Sequence, residues 1–314
     1  MFKIVNINKP QGWTSNDVVQ KIKYDKKLYK EKVGHLGTLD PFATGVLPIT
    51  IGKASRLFDY YLNKSKKYIA LFEFGKTTDT LDIFGQVINT SDKIITKEDI
   101  KKALPKFIGN ISQVPPIYSA KKVNGQKAYN IARAGGEVKL LPRNIQIYDF
   151  DLLDKNAKCI KKYAIIDEKM QKNVNFSQIY AFEITCSSGT YIRCLARDLA
   201  EEMGSCGYVV ALTRIRSGCF DIEKSIELDD FLSGDFEQFK NGVWDANDVF
   251  ADELIVDVDD RILRDFLDGK KPLLNFECDV DRNFVIRHKG IVVALCFGNS
   301  RKYDTLAFLY EGEG

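Results

Sequence analysis

The sequence predicts an α+β fold, with a large N-terminal domain and a small, mostly β C-terminal one. Three observations point there. Lys67–Gly75 and Tyr180–Cys186 alternate with period two, as strands with one buried face do. Apolar stripes at helical spacing follow capping residues near positions 15 and 96 and a turn ending at position 190. Strands and helices mix without a regular βαβ repeat, which argues against a doubly wound sheet.

The elements follow in order. Residues 2–7 read as a strand. A Pro/Gly turn, Lys9-Pro10-Gln11-Gly12-Trp13-Thr14-Ser15, leads to a helix with Val18, Val19 and Ile22 on one face and Asp17 in its first turn; Ser15 is the expected cap. Residues 33–48 form a loop punctuated by Gly, Thr and Pro. In the strand after it, Tyr68, Ala70, Phe72 and Phe74 share a face. Thr96 and Asp99 make a capping box before Ile100, Ala103, Leu104 and Phe107, and Pro105 is expected to bend or shorten that helix. Residues 113–142, rich in Lys, Tyr and Gly, read as an exposed excursion with a short helix near Ala128–Ala134. Residues 155–178 are charged and irregular and read as a surface loop or strand extension. A helix striped by Ile192, Leu195, Ala196 and Leu199 follows the Ser187-Ser188-Gly189-Thr190 turn. After the looser stretch Asp230–Asn247, the runs Glu253–Val258, Phe284–Arg287 and Ile291–Phe297 read as strands.

Composition narrows the class. With 314 residues, 45% hydrophobic and 28% charged, the chain can bury a large core and is not a disordered one. It has no apolar run long enough to span a membrane and no signal-peptide pattern, so a cytoplasmic location is expected. Its seven cysteines include no C-x-x-C pair, and His35 and His288 are the only histidines. The soft-ligand clusters of structural zinc are missing, and the cysteines are expected to be free and mostly buried. The net charge of +3 is unevenly spread: residues 251–314 carry −4 and the rest +7. A basic N-terminal part suits a polyanionic partner.

The segment Gly34-His35-Leu36-Gly37-Thr38-Leu39-Asp40-Pro41-Phe42-Ala43-Thr44-Gly45-Val46-Leu47-Pro48 carries the chemistry. Its glycines allow positive φ and close backbone approach, and Asp40 before a proline is biased to extended backbone. Such a loop can hold a carboxylate rigidly against a ligand, although Asp-Pro is also a common turn starter.

This stretch resembles the signature loop of the B-type tRNA pseudouridine synthases, the TruB family, whose pattern G-H-x-G-x-L-D-P-x-A-T-G-x-L-P it fits at every fixed position. Four further motifs resemble that family in the right order. They are Lys9-Pro10 with Gly12, Thr14 and Ser15; Lys67-Tyr68; Pro115-Pro116 with Tyr118-Ser119-Ala120, Lys122, Gly125, Tyr129 and Ala132-Arg133; and Cys186 through Arg193. Residues 250–314 loosely resemble the family's small PUA-like RNA-binding domain.

The resemblance implies a mixed, largely antiparallel sheet of pseudouridine synthase type over residues 1–248, with an RNA-gripping insertion at about 112–142, and a PUA-like domain over 249–314. It implies isomerisation of uridine 55 in the tRNA T-loop by base flipping, with Asp40 as nucleophile, Arg193 as its ion-pair partner, and Tyr68 stacking on the uracil and serving as general base. His35 would occupy the gap left by the flipped base. Lys9 would support the active-site loop, and Tyr191 and Leu212 would line the uracil pocket. Lys121, Lys122, Lys127 and Arg133 would meet phosphates. The expected partner is the T-stem-loop of tRNA, with no metal, organic cofactor or protein partner, and the expected state is a monomer. No basic tail is present, which favours the stand-alone form. A non-catalytic tRNA-folding factor and a synthase for another RNA are the alternatives. Attack at C1′ and a glycal route through C2′ both fit Asp40.

Overall fold

The computed structural model describes residues 1–118, 122–123, 126–127, 140–239 and 241–310. An eleven-stranded sheet organises the larger part. Its main strands are β1 (Phe2–Lys9), β2 (Thr44–Gly52), β3 (Lys66–Phe74), β4 (Gly109–Gln113), β5 (Arg143–Leu152), β6 (Ile179–Cys186), β7 (Gly207–Ser217) and β8 (Ile226–Glu227). They lie in the order β8-β1-β2-β7-β3-β6-β5-β4. All neighbours are antiparallel except β1 with β8 and β2 with β7. Short strands at Val33–His35, Phe220–Asp221 and Val243–Trp244 attach to β2, β7 and β1.

One face of the sheet packs on helices α1 (Ser15–Asp25), α2 (Lys97–Ala103) and α3 (Ile192–Glu202). The alternation read in β3 is the reason: Tyr68, Ala70, Phe72 and Phe74 join Leu195, Ala196 and Leu199 of α3 in one core. Complete burial of a Phe such as Phe72 contributes roughly 1.5–3 kcal/mol, so this face alone commits the register. On the opposite face Leu71, Ala181, Tyr208 and Val210 are covered by Ile160, Ile166, Met170 and Val174. The segment 155–178 is therefore a cover over the sheet as well as a surface stretch, and it contains a helix at Lys158–Tyr163.

Two helix starts differ in instructive ways. Thr96 and Asp99 form the expected capping box, and α2 gives way to a 3₁₀ turn at Leu104–Phe107 where Pro105 sits. At α1 the cap is Thr14, not Ser15: Thr14 accepts from the Asp17 amide and Asp17 reaches back to the Thr14 amide. Ser15 is freed for the loop described below.

The C-terminal sheet runs β9 (Leu254–Asp257), β10 (Arg282–His288), β11 (Ile291–Gly298), β12 (Tyr303–Phe308), with a helix at Asp260–Leu267. Period two divides its residues. Phe284 and Ile286 face that helix, while Val285, Val292 and Leu295 pack on Phe2, Ile4, Leu57 and Phe220 of the larger part. Tyr60 hydrogen-bonds Glu253, and Lys53 and Arg56 hold the carbonyls of Tyr310 and Phe308. No helix among the described residues is long and apolar enough to cross a membrane. All seven cysteines are free; Cys186, Cys194, Cys206 and Cys296 are buried and Cys219 is exposed.

Candidate active site

Residues 36–43 link the short strand at Val33–His35 to β2, and a dense set of backbone contacts fixes them. The Ser15 hydroxyl donates to the Leu39 carbonyl at 3.1 Å and accepts from the Leu39 amide at 2.9 Å. Lys9, wholly buried, donates its three ammonium protons to the carbonyls of Pro10, Trp13 and Pro41 at 2.8, 2.7 and 3.2 Å. The Gly12 amide donates to the Pro41 carbonyl at 2.8 Å.

From the other side Arg214 of β7, also fully buried, donates to the carbonyls of Val46 (2.8 Å), Thr38 (3.2 Å) and Gly37 (3.1 Å). This approach needs Gly45. Its φ is +103°, and a Cβ there would lie 2.3 Å from the Arg214 carbonyl oxygen. The Asp40 loop is thus clamped between two buried cations.

Asp40 projects from this clamp with its side chain 29% exposed. Its Oδ2 accepts from Arg193 Nε at 2.9 Å. Arg193 lies on the first turn of α3 and is buried, and its other nitrogens are also committed. Nη1 donates to the Thr80 carbonyl at 2.8 Å and stands 3.6 Å from Asp82, and Nη2 donates to the Tyr118 carbonyl at 3.1 Å. Burial works against the Arg193 charge, but Asp40 and Asp82 more than offset it and its pKa lies above the ordinary guanidinium value. Burial also raises the Asp82 carboxyl above the usual range, partly offset by Arg193. Oδ1 of Asp40 accepts no hydrogen bond from any described residue.

The other sequence-selected residues take these places. Tyr68 is buried in β3 directly across from Arg214 of β7, and shares a core with Leu39, Phe42 and Leu212. Burial pushes its hydroxyl up to about 12, with the nearby Arg214 pulling the other way. His35 ends its short strand half-buried. Burial and Arg214 both lower its pKa, so the imidazole is neutral at pH 7. Tyr191 precedes α3, where the buried Gln113 side chain clasps both its backbone groups, accepting from its amide at 2.9 Å and donating to its carbonyl at 3.1 Å. Asp40, Arg193, Tyr68, Leu212, Lys9 and His35 are thereby gathered around one loop. Lys121, Arg133, the side chains of Lys122 and Lys127, and the helix expected near Ala128–Ala134 lie outside the described residues.

Sequence reasoning missed Asp82 and Arg214. Asp82 sits in the Thr78–Gly85 turn, where Thr80 and the Phe84 amide bond its Oδ1. In sequence it looks like a turn aspartate. Arg214 had a usable signal: a cation ending the apolar run Val209–Thr213, where an unpaired charge would be costly to bury.

Comparison with known proteins bears on the family of the chain. The model of the family described as TruB family pseudouridylate synthase (N terminal domain) matches residues 25–192, more than half the chain. A tRNA pseudouridine synthase B of Rickettsia bellii (strain OSU 85-389) is 40% identical over 311 residues, covering 96% of this chain and 97% of that protein. One from Francisella philomiragia is 41% identical over 254 residues, covering 80% of this chain and 77% of its own length. Among solved structures, a Cbf5-Nop10-Gar1 complex contains a chain that superposes with a TM-score of 0.66 at 23% identity, covering 99% of this chain and 84% of that one. At that identity the likeness speaks for the fold, which is the expected pseudouridine synthase sheet with a small β domain at the C-terminus. On the family match and the two relatives, the chain belongs to the TruB family of pseudouridylate synthases.

Proposed function

We propose that this chain is a tRNA pseudouridine synthase that isomerises uridine 55 of the T-loop, with Asp40 as nucleophile. The observation that carries the reading is the half-committed carboxylate: Arg193 holds Oδ2 at 2.9 Å while Oδ1 is free of hydrogen bonds from the described residues. One oxygen fixes direction and the other is available for attack, the arrangement nucleophilic catalysis needs.

The chemistry is an isomerisation, so nothing is added or removed overall. The C1′–N1 bond breaks, the base turns, C1′ bonds to C5, C5 loses its proton and N1 gains one. The target must leave the base stack to reach Asp40. The ring of Tyr68 supplies a stacking face, and its hydroxyl, held neutral by burial, relays the proton, taking it from C5 as it gives its own to N1. Neutral His35 occupies RNA space rather than titrating. Lys9 holds the loop, and Leu212 and Tyr191 border the base. The T-stem-loop of tRNA is the substrate, recognised through shape and splayed bases, and the two relatives named for tRNA support that choice over a guide-RNA complex.

The test is turnover of T-arm RNA by Asp40→Asn protein, read as pseudouridine yield. Yield equal to wild type removes Asp40 from the reaction; the expected result is loss of product with RNA binding retained.

A further inference from the structure

Arg143 opens β5 directly opposite Gln113, the last residue of β4. These two residues bracket positions 114–142, the segment the sequence reads as an exposed excursion. Gln113 grips the Tyr191 backbone, and Arg143 lies over the Tyr191 ring, 4.7 Å from guanidinium carbon to centroid. Gly189, at φ +81°, lies close on the guanidinium: a Cβ there would come 3.0 Å from both terminal nitrogens. The Tyr191 ring and the Gly189 backbone thus fix the guanidinium plane.

What this arginine lacks is an acceptor. On α3, Arg193 holds two carbonyls and the Asp40 carboxylate and Arg197 holds a carboxylate and a carbonyl, while Arg214 holds three carbonyls. Arg143 has neither among the described residues. Its Nε is buried and unpaired, while its terminal nitrogens are not among the buried, unpaired atoms and so reach solvent. An arginine side chain carries roughly 2 kcal/mol of rotamer entropy, so pinning one without an ion pair needs a compensating interaction. Two residues beyond Tyr191 stands Arg193, the partner of Asp40.

We propose that Arg143 receives an RNA phosphate, one beside the flipped uridine, through the outward edge of its stacked guanidinium. This rests on the reading of the chain as an RNA-modifying synthase. The planar fork matches two phosphate oxygens, and stacking on tyrosine directs its N–H groups outward from the ring. A phosphate there fixes backbone register at the mouth of the site, and the target base falls toward Asp40.

The test uses T-arm RNA with wild type, Arg143→Ala and Arg143→Lys at several salt concentrations. Arg143→Ala is expected to raise KM about tenfold with kcat lowered no more than threefold. It should make the log–log salt dependence of binding shallower by roughly 0.7–0.9, one phosphate contact. Arg143→Lys should restore that slope and part of KM. Substrates bearing one neutral methylphosphonate near the target then locate the contact. One position should cost wild type the same factor and cost Arg143→Ala nothing further. The slope is also read from RNA binding to Asp40→Asn protein, so an absence of turnover sinks the synthase reading while the Arg143 measurement stands. An unchanged slope, or a fall in kcat and thermal midpoint alone, would reduce Arg143 to a prop for Tyr191 and overturn the proposal. So would the lack of any methylphosphonate position silent in Arg143→Ala, including the case where inorganic phosphate competes but no RNA phosphate maps to the site.

Discussion

One guanidinium joins two carboxylates: Arg193 Nε stands 2.9 Å from Asp40 and its Nη1 3.6 Å from Asp82. The two contacts use different edges of the same plane, so Asp82 sets the angle at which Nε meets Asp40. A lysine offers one point charge and cannot span both. Arg193→Lys is expected to lower kcat for T-arm RNA by about 10²-fold or more, about 2.7 kcal/mol of transition-state stabilisation, with KM changed only a few-fold. Asp82→Asn should lower kcat about tenfold with KM nearly constant. Single-turnover rates check both, and equal rates for Asp82→Asn and wild type would remove Asp82 from the network.

Arg214 ties β7 to the Asp40 loop through the carbonyls of Gly37 and Thr38, and to β2 through the buried carbonyl of Val46. The buried Val46 carbonyl left unpaired costs about 1–3 kcal/mol, so Arg214→Met is expected to lose at least about that much by denaturant unfolding. Gly45→Ala should act on the same contact from the other side. A methyl group 2.3 Å from the Arg214 carbonyl, at φ +103°, forces β2 and β7 apart. Both variants should lose kcat along with stability. A Gly45→Ala protein with wild-type stability and rate would contradict the clamp.

These two residues also show where sequence reading stops. The strands were legible because alternation is local: Tyr68 to Phe74 and Tyr180 to Cys186 carry their own period. The Thr96–Asp99 box was legible for the same reason. The pairing of Tyr68 with Arg214 depends on β7 lying between β2 and β3, a fact of sheet order that no window of residues contains. Asp40 and Arg193 are 153 positions apart and were linked through motif resemblance, not through periodicity. At the first helix, Thr14 and Ser15 are equally good caps by chemistry. The loop decides between them by taking the Ser15 hydroxyl for Leu39. The sheet cover formed by 155–178 was not legible because Ile160, Ile166, Met170 and Val174 have no common period.

Tyr68 separates ring from hydroxyl. Burial holds its pKa at about 12, so no rate limb from tyrosinate is expected between pH 7 and 10. Tyr68→Phe keeps the stacking face and should leave KM within about threefold while lowering kcat roughly 10²–10⁴-fold, the range of a lost acid–base group. Tyr68→Leu should also raise KM, since base stacking on an aromatic is worth roughly 1–3 kcal/mol. Full kcat in Tyr68→Phe would show that the ring alone matters.

Lys9 makes stability and activity respond to pH in opposite directions. Burial pushes its ammonium from 10.5 down to about 7, with Asp40 resisting. Below pH 7 the folded and unfolded chains both hold the proton, and the full cost of the buried charge is present. Between 7 and 10.5 the unfolded chain still holds it while the folded chain releases it, so unfolding free energy rises with pH, by on the order of 5 kcal/mol at most. Lys66, pushed down to about 8 by burial, adds in the same direction. The charged form of Lys9, however, is the one that donates to Pro10, Trp13 and Pro41 together. As it loses its proton one of those donors disappears and the Asp40 loop loosens. Turnover should therefore decline above pH 7 while the thermal midpoint climbs, once compared with Lys9→Met, which lacks the titrating group. A Lys9→Met protein whose alkaline limb and stability slope both match wild type would place the titration elsewhere.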